Sequence, residues 1–212
     1  IERMKVIGKW KKIWSGAMKN AKAPEAPHLY RVGDYYYLIT AEGGTEYYHS
    51  VNVARCKTID GMYEGNPGNP VMTHRHLGRK YPICNVGHAD IFSDECGNWY
   101  AALLACRQLN NGLKNLGRET FICPVTWEDD WPIFSPSSGK LENEYTIGIK
   151  AERKEKSNVK LDFSDGKIPM DWVMWGTPYN NDIFFEENHL RIRCTDRKLH
   201  ETLRRVNVTN PN

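Results

Sequence analysis

The spacing of apolar residues constrains this chain more than any other feature. They fall in short runs rich in aromatic and β-branched side chains: 35–40 reads Tyr-Tyr-Tyr-Leu-Ile-Thr, 99–105 reads Trp-Tyr-Ala-Ala-Leu-Leu-Ala, and 119–125 reads Glu-Thr-Phe-Ile-Cys-Pro-Val. Gly, Asn, Asp and Pro separate the runs, which is the pattern of strands joined by turns. No stretch before residue 195 keeps a 3.6-residue period, and only 198–205 offers a weak helical turn. The fold class expected is therefore all-β.

A faint internal repeat refines this. Leu29 to Leu38 and Ile91 to Ala101 both read as an apolar strand, a Gly-Asx turn and an aromatic strand, with Gly33 and Gly97 offset by 64 residues. Gly-Asx supplies the positive φ that a tight hairpin needs. A four-stranded sheet with its loops fits such a period, which suggests propeller blades; a hairpin recurring by chance is the alternative. A break follows residue 134. Residues 135–159 are turn-rich and then charged, ending in Glu152-Arg153-Lys154-Glu155-Lys156-Ser157, and are expected to be a linker region. Residues 160–212 open a second, aromatic segment with Trp172, Trp175, Phe184 and Phe185. About fifty residues are marginal for an independent core.

Composition excludes several function classes. Twenty-nine Lys and Arg against 26 Asp and Glu leave a net charge of +3, too small a surplus to argue for nucleic acid. No apolar run approaches a membrane span, and no signal-peptide pattern opens the chain as given. Of the six cysteines, no two form a CxxC, so zinc ribbons and thioredoxin-type sites are unsupported. Cys106 and Cys123 lie in apolar runs and read as buried free thiols, with disulfides as the alternative. Localisation, cytoplasmic or secreted, and oligomeric state stay open.

Several groups could carry chemistry. Glu25 stands between Pro24 and Pro27, which restrict the backbone around it and would hold the carboxylate rigidly before a strand. It is either an exposed loop residue or a general acid in a partly apolar, water-poor site. Gly43-Gly44 would admit close backbone approach, or simply form a turn. His88 and Asp90 are two apart, hence on one face of a strand, and His88 between Gly87 and Ala89 reads as a cavity-lining side chain. His74 and His76 are similarly spaced but read as a solvent loop, and two ligands do not make a metal site. Arg118 places a bidentate donor at a strand start.

Six segments in order resemble glycoside hydrolase family 43: Glu25-Ala26-Pro27-His28-Leu29-Tyr30, Gly33 to Leu38, Ala41-Glu42-Gly43-Gly44-Thr45, Asn85 to Asp90, Gly117 to Phe121, and Pro124 to Pro132. The resemblance is to its β-xylosidase and α-L-arabinofuranosidase branch. It implies a five-bladed β-propeller, with 1–134 its C-terminal part, followed by the start of a β-sandwich at 160–212. It implies an inverting glycosidase acting on xylo- or arabino-oligosaccharides without a required cofactor. Glu25 matches the general acid. Thr45, His88 and Arg118 match residues lining the sugar pocket, and His88 also matches a neighbour of a structural calcium ion in some members.

One departure matters. The family's general base and its pKa-tuning partner are both Asp residues that precede the acid, whereas the 24 residues before Glu25 hold Glu2 as their sole acid. Five repeats of this size need about 320 residues. The expectation is an N-terminally truncated piece lacking its general base. A noncatalytic or degenerate carbohydrate-binding protein is the alternative.

Overall fold

A computed structural model of the chain describes residues 8–18, 22–110, 112–148, 161–168 and 183–193. The strand pattern folds as the spacing dictates. Four strands, β1 (Glu25–Val32), β2 (Tyr35–Glu42), β3 (Ser50–Cys56) and β4 (Glu64–Gly65), form an antiparallel sheet in sequence order. β5 (Ile83–Ser93), β6 (Trp99–Arg107), β7 (Glu119–Glu128) and β8 (Trp131–Phe134) form a second, again in sequence order. The two aromatic strands β2 and β6 start at Tyr35 and Trp99, the same 64-residue offset as the glycines of their preceding turns. A short 3-10 turn at Arg75–Leu77 lies in the connection. All-β architecture is thus observed among the described residues.

The turns follow local chemistry. Gly33 takes φ 56° in the two-residue β1–β2 turn. The β5–β6 turn closes around Asp94, whose carboxylate accepts the Cys96 and Asn98 N–H groups at 2.9 and 2.8 Å.

One core fills the space between the two sheets. Tyr37, Ile39, Val51 and Val53 of the first meet Val86, Ile91, Ala101, Leu103 and Ala105 of the second, all buried. Full burial of one such side chain as Leu103 contributes about 1.5–3 kcal/mol. A smaller cluster on the other face of the first sheet, Leu38, Ala54 and Tyr63, is covered by Ile13 and Trp14. Arg55 fastens the sheets to each other. Its guanidinium lies 3.9 Å from the Trp131 ring centroid and donates to the Asp129 and Asp130 carbonyls at 2.9 and 2.7 Å.

Compact units divide at Ala151/Glu152, inside the stretch expected to be a linker. The first part of that stretch is packed. Ser135 and Leu141 are fully buried, and the Tyr145 hydroxyl accepts the Glu142 N–H at 2.8 Å. His74 corrects an expectation, because it is buried rather than in a solvent loop. Its Nδ1 donates to the Ile83 carbonyl at 2.7 Å and its Nε2 accepts the Leu141 N–H at 2.8 Å, so its polar atoms replace water with backbone partners. His76 is exposed as expected.

The second unit, Glu152–Asn212, is described only in part. It contains an antiparallel hairpin, β9 (Ile183–Glu186) and β10 (His189–Ile192), turned by Glu187 and Asn188 at φ 48° and 62°. Phe163 packs near Phe185, their ring centroids 6.2 Å apart. Trp172, Trp175, Cys194 and the 198–205 segment lie outside the described residues.

Candidate active site

The site forms where β1 and β5, an edge strand of each sheet, face one another. The Tyr30 hydroxyl on β1 accepts the Ile91 N–H of β5 at 3.1 Å and donates to the Asp90 carboxylate. Burial and the Asp90 carboxylate push the Tyr30 phenol up, so it stays a donor. His28 Nδ1 approaches the same Asp90 carboxylate at 3.7 Å, and the His28 and His88 rings lie 6.2 Å apart.

Both strands are distorted here. On β1 the register gains one residue between Glu25, opposite Ala41, and His28, opposite Ile39. Ala26 takes φ 49° at this bulge, so the extended geometry expected before Pro27 is not what holds Glu25; the bulge is. On β5 two register shifts fall within Cys84 to Ala89, with Asn85 at φ 57° and His88 at φ 55°. Non-glycine residues in this region are uncommon, and each is held by its surroundings at a cost.

His49 is the reason. This imidazole is fully buried against the backbone of Gly87, where a Cβ would lie 2.4 Å from the ring. Its Nδ1 bonds the Asn85 carbonyl at 2.9 Å. A carbonyl only accepts, so Nδ1 carries the proton and Nε2 is left as an acceptor. Burial pushes the imidazole below its ordinary range. The Asn85 carbonyl and the Glu25 carboxylate pull it back, while His88 and Arg118 push it further down.

Three of the four residues singled out in the sequence bear on the charge of this ring. Glu25, His88 and Arg118 all act on one buried ring. Glu25 and Arg118 are exposed and His88 half-buried. The exposure of Glu25 is the first of the two settings its sequence context left open. Glu25 stands at the rim of a cavity of about 350 Å³ whose walls include Ile13, Trp14, Leu38 and Thr40. Thr45 is exposed on the β2–β3 loop. Its neighbour Glu46 does reach the site, accepting Asn85 Nδ2 at 3.3 Å and pairing with Lys114 at 3.9 Å. Gly43 is required by the loop itself, since a Cβ there would lie 2.0 Å from the Tyr48 carbonyl oxygen. No group of three or more His, Cys, Asp or Glu side chains among the described residues could hold a metal ion, so the expected calcium neighbour role of His88 finds no ligand set here. His49 and Asn85 escaped the sequence reading, because a single His before a strand carries no spacing signal.

Comparison with known proteins assigns the class. A sequence profile of glycosyl hydrolases family 43 matches residues 2–132, which hold both sheets but for the end of β8. The chain belongs to this glycoside hydrolase family. It is 47% identical over 156 residues to a xylosidase/arabinosidase of Butyrivibrio fibrisolvens, covering 74% of this chain and 30% of that protein. It is 36% identical over 205 residues to a β-xylosidase of Bacillus subtilis, covering 90% of this chain and 38% of the relative. Among solved structures, a xylan β-1,4-xylosidase of Bacillus halodurans superimposes with a TM-score of 0.72 at 32% identity, over 90% of this chain and 37% of that one. The chain thus spans about a third of the length of these relatives.

Proposed function

We propose that this chain carries the acid half of an inverting glycosidase site that hydrolyses terminal xylose or arabinose units from short oligosaccharides. Glu25 protonates the leaving oxygen, and Arg118 and His88 bind sugar hydroxyls, with Thr45 at the pocket edge. The observation that carries this reading is the seating of the β1 stretch that begins with Glu25 against the β5 stretch that holds His88, through Tyr30 on Asp90 and Ile91 and the neighbouring His28 and His88 rings. The names of the relatives, xylosidase and arabinosidase, support the pentose substrate class. On the same reading the two four-stranded sheets are blades of a five-bladed propeller over 1–134, and 160–212 begins a sandwich. No cofactor enters the chemistry.

Inversion needs a second carboxylate to activate water on the opposite face of the sugar. No Asp precedes Glu25 in this chain. The 212 residues by themselves are therefore proposed to bind sugar without turning it over, so the acid assignment is tested in the protein as encoded. The test compares Glu25→Gln with wild type, in that protein, on nitrophenyl xyloside and arabinoside and on a pentose disaccharide. Loss concentrated on the disaccharide is expected, because its leaving group needs protonation. Unchanged turnover in Glu25→Gln rejects the acid assignment. A wild-type protein that binds pentosides but cleaves none supports the noncatalytic reading.

A further inference from the structure

A buried carboxylate stands one residue beyond the β2 partner of Glu25. Glu42 is fully buried at the end of β2. Burying a carboxylate costs free energy unless its oxygens are hydrogen-bonded, and an apolar side chain would fill the space without that cost. Glu42 accepts the Ala17 N–H on Oε1 at 2.8 Å and the Met18 N–H on Oε2 at 3.1 Å. The Thr40 hydroxyl adds a longer contact to Oε1 at 3.4 Å. Gly16, at φ 98°, lies so close that a Cβ there would be 3.4 Å from Oε2.

Its neighbours in sequence hold the same segment. The Gly43 N–H donates to the Lys22 carbonyl at 2.8 Å, and Ala41 pairs with Glu25 itself. Three consecutive residues, Ala41, Glu42 and Gly43, therefore grip Glu25 and the chain leading into it at three places. The grip is long-range, Ala17 and Glu42 being 25 positions apart. A carboxylate makes it directional, because two N–H groups must arrive together on its two oxygens.

We infer that Glu42 is a positioning residue for the general acid. It anchors Ala17 and Met18 while Gly43 holds Lys22, and so fixes where the Glu25 carboxylate stands relative to the leaving oxygen. This rests on the glycosidase reading above, and touches neither substrate nor Glu25 side chain. Gln in its place keeps the volume but turns an NH2 toward one of the two N–H donors, so one bond is lost and a donor faces a donor.

The experiment uses the protein as encoded, with Glu42→Gln as the first variant. Glu42→Asp, which keeps the carboxylate but withdraws it by one methylene, serves if Glu42→Gln does not fold. Two readouts are taken. Amide hydrogen exchange at Ala17 and Met18 reports the anchor, and these N–H groups should lose protection by about tenfold or more on loss of a charged hydrogen bond. Kinetics report the acid. The kcat for xylobiose should fall about 10- to 100-fold, the cost of a small misplacement, with a much smaller loss for nitrophenyl xyloside, whose leaving group needs little protonation. An equal loss on both substrates makes Glu42 merely structural and overturns the inference, as do wild-type kinetics or unchanged exchange. A wild-type protein that cleaves neither substrate overturns the glycosidase reading and the catalytic meaning of Glu42 with it, while exchange still decides whether the anchor exists.

Discussion

Replacing Gly87 by alanine tests how the site is built without needing any turnover. The added methyl would lie 2.4 Å from His49 Cδ2, 2.6 Å from Cγ and 2.6 Å from Nε2. Ordinary carbon contacts are about 3.5–4.0 Å, so ring or strand must retreat by roughly 1 Å. The ring has little freedom, since it is 1% exposed and tied through Nδ1 to the Asn85 carbonyl. Overpacking of this kind costs about 1–3 kcal/mol, and loss of a neutral hydrogen bond a further ~0.5–1.5 kcal/mol. The sum is about 2–4 kcal/mol, or roughly 4–16 °C in Tm for a unit of this size. Thermal unfolding followed by circular dichroism measures it. The same substitution in a His49→Ala background should cost far less, because the methyl then enters the space the ring vacated. The expected coupling between the two changes is about 1–3 kcal/mol. A Gly87→Ala protein melting with wild type, or an equal cost in both backgrounds, would refute the claim that the ring of His49 dictates the bend of β5.

Other outcomes follow from the same contacts. Arg55→Ala should lower stability by about 2–4 kcal/mol in urea unfolding, because it removes stacking on Trp131 and two charged donors to the Asp129 and Asp130 carbonyls. His49 and His74 are both held below the ordinary imidazole range by burial. The unfolded chain therefore binds more protons than the native one below about pH 6.5, so this part of the stability is present above that pH and lost as pH falls through it. Urea midpoints between pH 7.5 and 5.5 should decline, and His74→Gln should flatten the slope. Among the described cysteines, exposed Cys96 should react at once with an aromatic disulfide reagent. Cys84, Cys106 and Cys123 should react only on unfolding, since burial pushes all three thiols up, Cys123 to about 12.

Local pattern carried the fold as far as the strands. The short aromatic and β-branched runs became β2, β6 and β7, and the 64-residue offset of Gly33 and Gly97 reappears in the starts of β2 and β6. Such features are legible because neighbours in sequence produce them. What stayed hidden depends on partners far along the chain. Trp14 covers the first sheet through Leu38, His74 meets Leu141 across 67 residues, and Glu42 meets Ala17 across 25. A polar residue reads as exposed until its distant partner is known, which is why His74 was read as a loop residue. Glu25, His88 and Arg118 stand out through family resemblance, whereas His49, buried against Gly87, does not.

Several of the positions that break local rules fall in the stretches that carry Glu25 and His88. Ala26, Asn85 and His88 take positive φ without being glycine, Gly87 gives up its side chain to a buried imidazole, and Glu42 buries a carboxylate. Each is unfavourable taken singly, and a chain selected for stability alone would remove them. The violations at Ala26 and Glu42 act on the stretch that carries Glu25; those at Asn85, Gly87 and His88 act on the stretch that carries His88. Both stretches begin or interrupt an edge strand, where a missing ladder bond costs least and a bulge can re-aim a side chain. The surrounding sheets, with Leu103, Val51 and Ile39 sealed between them, supply the rigidity that makes those local costs bearable. Stability and chemistry are thus divided between the regular strand faces and the irregular strand ends, and a substitution's effect on one or the other should follow from which of the two it touches.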